Sequence, residues 1–398
     1  MSTILPERFL APLSARPGES SIPDEAAAIS ARLRATIGAE IERDGFMAFA
    51  RFMELALYAP GMGYYPAGAV KFGAHGDYVT APEISPLFAH ALSAQVKQLV
   101  DQGYTRILEL GAGTGQMAFD LLSALAREGV AIERYSILEV SAQLRERQCR
   151  TLEPFAHFAH VEWLDELPPR FRGLIIGNEI LDALPVHLLR TDGGSTLELG
   201  VGFEQESGAF AWRTRAPQGE LAQVAAGLDL PDGYTTEVHL AARALMRSLA
   251  DRLESGVVLF IDYGFPRREY YHPDRCQGTL MCHYRHRAHA DPLALVGLQD
   301  ITSHVEFTAL AEAAHAGGLE LLGYTSQAQF LINCGIVDLL QAIDPANTAA
   351  YARAASRAHQ LLSPAEMGEL FKAIAFGRGV ARPLTGFRSG DRSAALIR

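Results

Sequence analysis

The sequence predicts an α/β fold built on a mostly parallel, Rossmann-like sheet, and three observations carry that expectation. Between residues 106 and 181, short apolar runs of the buried-strand type alternate with segments of helical period, the pattern that specifies parallel strands joined by right-handed crossovers. The first of those runs ends in Gly111-Ala-Gly-Thr-Gly115, immediately ahead of a helical segment. After a polar interruption, the run Gly256-Val-Val-Leu-Phe-Ile-Asp-Tyr-Gly264 resumes the sheet.

Residues 1–22 are rich in Pro, Ser and Gly without a clear period and are expected to form a flexible N-terminal arm. From Asp24 to Glu42, Ala27, Ile29, Leu33, Ile37 and Ile41 recur at helical spacing. A second helix is expected over Phe46–Tyr58, stopped by Pro60 and Gly61, and a third from Leu87 to Gln102, so that 23–103 forms a helical cap. Between them, 61–86 is an irregular stretch crowded with Gly, Pro and aromatics, and a loop of that length in a compact domain usually serves a function. The Rossmann-like domain then covers 104–398. Its strands are expected at Arg106–Gly111, Arg134–Val140, Val161–Leu164, Gly173–Leu181, 256–264, Leu319–Thr325 and Ala373–Phe376. Helices are expected at Gln116–Glu128, Ala142–Leu152, Glu237–Glu254, Val305–Ala316 and across the Ala-rich stretch near 342–358. Two insertions interrupt it: 186–235, which begins as an antiparallel hairpin with Asp-Gly-Gly and Ser-Gly turns, and 265–304, a flap rich in Tyr, His and Arg.

The 398 residues include 35 Lys and Arg against 46 Asp and Glu, a formal charge of −11. That balance argues against nucleic-acid partners, which need clustered basic charge, while leaving a cationic protein or peptide open. Cys149, Cys276, Cys282 and Cys334 are scattered and read as reduced thiols. With no apolar run of about 20 residues and no secretory signal, the expected location is the cytoplasm, with no membrane span. Cys276, Cys282, His283, His286 and His289 match no zinc spacing, so no metal is expected. The oligomeric state is left open, a homodimer included.

The chemistry concentrates at the strand ends. Glycine has no Cβ, so a Gly-x-Gly-x-Gly turn lets a nucleotide approach the backbone. Dinucleotide enzymes favour Gly-x-Gly-x-x-Gly, which seats a pyrophosphate on the helix N-terminus; here Gln116 stands at the third glycine's position. Glu109 directly ahead of Gly111, Gly113 and Gly115 would repel a pyrophosphate and suits the ammonium and sulfonium of S-adenosylmethionine. Glu139 ends the second strand, where a carboxylate can accept the ribose hydroxyl protons, a role that serves methyl donor and dinucleotide alike. Trp163 and Asp165 follow the third strand, where an adenine could be stacked and bonded, although Trp163 fits a core position as well. Asn178, Glu179 and Asp182 end the fourth strand, either capping a helix or clamping a guanidinium through charge-assisted hydrogen bonds. The candidate functions are an S-adenosylmethionine-dependent methyltransferase, a non-catalytic scaffold that binds the same ligand, and an NAD-type oxidoreductase.

Taken together, these segments resemble the MidA family of class I methyltransferases. The resemblance is carried by Phe52-Met-Glu-Leu-Ala-Leu-Tyr58, Gly63-Tyr-Tyr65, Gly76-Asp-Tyr-Val-Thr-Ala-Pro-Glu-Ile-Ser85, Glu109–Gly115, Glu139–Arg145, Asn178–Val186, Ile261-Asp-Tyr-Gly264, Gly278-Thr-Leu280, Asp291-Pro292, Gln299-Asp-Ile-Thr302 and His304–Phe307. It implies a seven-strand methyltransferase sheet, S-adenosylmethionine as cofactor, and a lid over the cofactor site from Gly76 to Ser85, with Asp77, Thr80, Glu83 and Ser85 as its polar contacts or, alternatively, turn caps. Asn178, Glu179 and Asp182, at the fourth strand's carboxyl end, are the candidate catalytic group. The resemblance further implies a protein substrate, since mitochondrial members of the family methylate an arginine of a respiratory complex I subunit. Met281-Cys-His departs from the more basic or aromatic approach expected before Tyr284-Arg285, and an Arg-rich transit peptide is lacking, so a bacterial member is expected.

Overall fold

The computed structural model describes residues 22–66, 80–344 and 346–397; the expected arm up to residue 21, and Asp77 of the expected lid, lie outside the described residues. Its main sheet has seven long strands: β1 Arg106–Leu110, β2 Arg134–Leu138, β3 His160–Leu164, β4 Phe171–Asn178, β5 Leu253–Phe265, β6 Glu320–Ser326 and β7 Phe371–Arg378, in the order β6-β7-β5-β4-β1-β2-β3. The five central and far-edge strands run parallel. β7 is inserted antiparallel between β5 and β6. The two-residue strand Val305–Glu306 pairs parallel with the last two residues of β5.

Why these strands read as unbroken apolar runs follows from burial on both faces. Along β4 and β5, Leu174, Ile176, Val257, Leu259 and Ile261 face one apolar cluster, while Ile175, Val258 and Phe260 face the other. The period of two is intact, but both sides are dry. Helices α4 (Pro86–Asp101) and α5 (Gln116–Arg127) close the first face; helices Leu240–Arg252 and Phe307–Ala316 close the second. Successive strands step outward from β1 to β3, then return to the other side of β1 as β4. That reversal opens a crevice at the carboxyl ends of β1 and β4, the position where open α/β sheets take ligands.

The N-terminal helices α1 (Asp24–Asp44) and α2 (Phe49–Tyr58) share a core with the insertion rather than forming a cap of their own. Residues expected to make one hairpin supply three strands of a five-stranded antiparallel sheet, in which Ser195–Phe203 lies between His187–Asp192 and the short strand Met47–Ala48, from a stretch expected to be helical, and also pairs with Phe210–Arg215, while Thr235–Val238 pairs with His187–Asp192. Leu33, Ile37, Ile41, Phe49 and Phe52 supply the helical half of this core, and Val186, Leu188, Val201 and Trp212 the sheet half. A one-sided antiparallel sheet needs such a cover, and the apolar stripe of α1 provides it. The flap contributes Met281–Tyr284, Arg287–His289 and Asp300–Thr302, a three-stranded antiparallel sheet.

Strands β4 and β5 pair at Gly173 and Gly256, two glycines facing each other. Gly256 has φ 126°, and a Cβ there would run into the carbonyl oxygen of Gly173. Gly256→Ala should therefore cost about 3 kcal/mol, from strain plus overpacking; the check is a lower urea midpoint at unchanged slope.

Candidate active site

The crevice holds a cavity of about 250 Å³ lined by residues at the ends of β1, β2 and β4 together with Tyr58, Tyr65, Thr80, Pro82 and Glu83. Along β1 the chain turns out of the sheet at Gly111 and Gly113, with φ of 65° and 54°, and enters α5 at Gly115, with φ 84°. Three left-handed residues in five allow a turn too sharp for side chains with a Cβ. Gly111 and Gly113 line the cavity; Gly115 does not, and instead packs beside Gln148 as the cap of α5. Thr114 donates its hydroxyl hydrogen bond to Glu83, which ties the turn to the short helix α3 (Ala81–Ile84) that follows the undescribed segment.

Four glutamates line this cavity, Glu83, Glu109, Glu139 and Glu179, and two of them come from the ends of β1 and β2. Glu109 is 1% exposed and accepts a hydrogen bond of 2.7 Å from the Tyr135 hydroxyl. Burial pushes its pKa up to about 7, against the lowering effect of that hydroxyl. Glu139 accepts from the Ser141 backbone N–H at 2.9 Å and from the Gln148 amide at 3.0 Å, and burial raises its pKa too. Gln148 spends its other N–H on the Gly113 carbonyl at 2.8 Å, and its oxygen accepts the Trp163 indole N–H at 2.9 Å. One buried side chain thus fixes the glycine turn, the β2 carboxylate and β3 relative to one another.

At the end of β4 the chain makes a second tight turn. Glu179 has φ 52°, rare outside glycine, with its N–H on the Ile261 carbonyl at 2.9 Å. Its Oε1 accepts from the Ala81 backbone N–H at 3.0 Å and from Asn178 Nδ2 at 3.1 Å. Burial lifts its pKa to about 8, helped by the nearby charge of Asp182. Asp182 is lifted to about 6, again by burial; its Oδ2 accepts the Tyr263 hydroxyl at 2.6 Å. Beneath both, Asp262 is fully buried and accepts the backbone N–H groups of Leu181 and Asp182 at 2.8 and 3.3 Å, clamping the turn shut. Glu179 and Tyr65 line not only the first cavity but also a second one of about 330 Å³, which Asp182, Tyr263, Asp300 and His304 enclose. The two chambers meet at Glu179.

A family model for S-adenosyl-L-methionine-dependent methyltransferases matches residues 87–325, more than half of the chain. The chain belongs to this methyltransferase family. A Burkholderia thailandensis protein crystallised with S-adenosyl-homocysteine bound is similar at a TM-score of 0.90 and 49% identity, over 94% of this chain and 99% of that one. The mitochondrial protein arginine methyltransferase NDUFAF7 of Rattus norvegicus is 28% identical over 364 residues, covering 83% of this chain and 81% of its own length. Its homolog in Drosophila melanogaster is 28% identical over 376 residues, 86% and 84% of the two lengths. Family membership decides the choice between methyl donor and dinucleotide that Glu139 left open.

S-adenosylmethionine is the cofactor of this family, and the first cavity has the groups to hold it. Its carboxyls suit the cationic end and the ribose hydroxyls of the molecule. Asn178 Oδ1 is buried without a hydrogen-bond partner in the same wall, a state that calls for a donor. Thr80 and Glu83 line the cavity, but two expected contacts do not. Ser85 is buried as the N-cap of α4 and accepts the Leu87 N–H at 3.2 Å. Asp165 is largely exposed and pairs with Arg145 at 2.8 Å. Trp163 likewise turns its indole N–H inward to Gln148 and lies against the core, not the cavity. Conversely, Tyr58, Tyr65, Gln148, Tyr263 and Asp300 belong to the site or its frame without having been marked as such in the sequence. Tyr65 and Asp300 stand in strings noted for the family resemblance, but nothing local told that they meet across 235 residues.

Gly113→Val should abolish S-adenosyl-homocysteine binding, because a branched side chain would enter the cavity from a residue already at positive φ. Calorimetry checks it: the affinity should fall by at least 100-fold, beyond the modest drop in thermal midpoint that a β-branched residue at positive φ brings, and wild-type affinity would overturn the placement.

Proposed function

We propose that this methyltransferase acts on an arginine side chain of a protein. The observation that carries the reading is the second chamber: it joins the cofactor cavity at Glu179, and Asp182 stands in its wall with Oδ1 buried and without a hydrogen-bond partner among the described residues. Arginine stays protonated at neutral pH and offers five N–H donors in a planar fork. Buried carboxyls with lifted pKa values are stabilised in their charged form by such a cation.

S-adenosylmethionine, when bound, supplies the methyl group on a sulfonium. The chain's own work is to align one guanidinium nitrogen with the opening at Glu179 and to hold the positive charge on the others. Ionised Glu179 and Asp182 do the holding. Glu179 is anchored by the Ala81 N–H and by Asn178, so its carboxylate keeps its direction while the substrate enters. As the nitrogen gains the methyl carbon it sheds one proton, and Glu179 is placed to take it. The names of the NDUFAF7 relatives support an arginine acceptor. The MidA resemblance extends the proposal to a respiratory complex I subunit as substrate, methylated in the cytoplasm.

Two measurements test it. Purified protein given methyl-labelled donor and a cell extract lacking the gene should leave label in methylarginine after hydrolysis; label confined to another residue would refute the arginine reading. The pH profile follows from Glu179, whose pKa of about 8 means that its charged form fades as pH falls. Since kcat/KM reports the free enzyme, it should rise roughly tenfold per unit toward pH 8 and level off above. Glu179→Gln should lower kcat/KM about 100-fold, the loss of one charge-assisted pair near the reacting centre, and should remove that limb of the profile.

A further inference from the structure

Helix α6 (Ala142–Leu152) follows β2, and the two residues it buries are Gln148 and Leu152. They stand four apart, one turn of helix from each other, on a single inward face. Packing alone would ask for an apolar side chain at both positions. Gln148 is instead an amide with 0% exposure. Residues three before and three after it also donate inward. Arg145 reaches the Leu164 carbonyl at the end of β3 at 3.0 Å, and the Thr151 hydroxyl reaches the Thr114 carbonyl in the glycine turn at 3.3 Å. The helix thus presents a row of donors to the strand ends that frame the cofactor cavity.

The direction of the Gln148 amide is dictated by its neighbours. An amide side chain has two N–H donors and one acceptor oxygen. Both donors are spent, on the Gly113 carbonyl at 2.8 Å and on Glu139 Oε2 at 3.0 Å, and the oxygen takes the Trp163 indole N–H at 2.9 Å. An indole N–H can only donate. Turned over, the amide would set its oxygen against a carbonyl and a carboxylate and its N–H groups against another N–H, all of them unpaired out of water. Trp163 therefore permits one orientation, the one that points an N–H at Glu139.

Glu139 lines the cavity, whereas Gln148 and Trp163 do not. The Ser141 N–H holds Oε1 of Glu139 and Gln148 holds Oε2, so a donor on each oxygen fixes the plane of the carboxyl. A carboxylate has about four acceptor sites, and these donors orient it without using it up. Loss of the Gln148 N–H would leave Oε2 without that anchor and let the carboxyl turn about its last bond. A group already held in its binding direction gives up less freedom when the ligand arrives.

We propose that Gln148, its amide oriented by Trp163, is a positioning residue that aims Glu139 at the vicinal hydroxyls of the donor's ribose. The inference takes Glu139 as the ribose acceptor, adds the pair of side chains that aims it, and is independent of the arginine reading.

The experiment measures binding rather than turnover. Full-length protein is titrated by calorimetry with S-adenosyl-homocysteine and with its 2′-deoxy analogue, which lacks one of the two hydroxyls. Wild-type protein should bind the ribose form about 10- to 100-fold more tightly, the range for one hydrogen bond to a charged group. Gln148→Met fills a similar volume without a donor and should cut that ratio to about threefold or less, because the analogue loses little when the carboxyl is no longer aimed. Trp163→Phe keeps a ring but no N–H and should reduce the ratio about threefold to tenfold, the worth of one neutral hydrogen bond. If both probes weaken equally in Gln148→Met, so that the ratio stands, Gln148 merely supports the glycine turn and the proposal is overturned. If wild-type protein does not distinguish the probes, the ribose role of Glu139 fails and the proposal with it. If the ratio collapses in Gln148→Met but stands in Trp163→Phe, the part given to Trp163 is overturned. Should Gln148→Met not fold, Trp163→Phe decides alone, and an unchanged ratio there overturns the proposal.

Discussion

Glu109, Glu139, Glu179 and Asp182 lie at the ends of neighbouring parallel strands, in a crevice that offers them little water, and burial raises the pKa of each. Acids in that position are costly to ionise, and the surrounding structure is arranged to keep them there regardless. Tyr135 supports the first, Gln148 and the Ser141 N–H the second, Ala81 and Asn178 the third, and Tyr263 the fourth. These one or two neutral donors per carboxyl orient it but bring no positive charge to neutralise it. The unmet electrostatic demand suits positive charge such as the donor's sulfonium end.

The same constraint explains why the two chambers behave as one site. Glu179 is shared by both, and the N–H of Ala81 that anchors it belongs to the short helix whose Glu83 accepts the Thr114 hydroxyl. The glycine turn, the helix after the undescribed stretch and the turn after β4 are therefore linked by two hydrogen bonds. A shift in any of them alters how Glu179 is presented, and with it both the donor side and the acceptor side. Positive φ at Glu179 is the backbone cost of this arrangement, offset by the Asp262 carboxyl that gathers the N–H groups of the same turn.

Outside the sheet, the insertion and the N-terminal helices complete the second chamber. Tyr58 ends α2, Tyr65 follows it, and Asp300 comes from the flap; none of these elements belongs to the parallel sheet. They are held in place by an apolar core that α1 and α2 share with the five-stranded sheet. The sheet thus presents the donor, while the added elements build the wall that an acceptor would meet. This division suits a fold whose strand ends are general and whose decorations set specificity.

The parallel sheet was legible because doubly buried strands must be apolar throughout, and the glycine turn because only glycine tolerates three left-handed residues in five. Glu109, Glu139, Asn178, Glu179 and Asp182 were legible for a related reason: a strand's last residues in such a sheet lie at its ligand edge. Local order alone determined these. It misplaced Asp165 and left Trp163 open between crevice and core, since which way a residue at a strand end turns depends on its partners, here Arg145 and Gln148. Ser85 read equally as ligand contact or cap, and packing decided for the cap. The contacts of Asp300 with Tyr65 and of Gln148 with Gly113 and Glu139 had no local signal at all. They join residues as much as 235 positions apart, and only the docking of separate layers, driven by apolar surfaces that carry no record of their polar neighbours, brings such residues within hydrogen-bond reach.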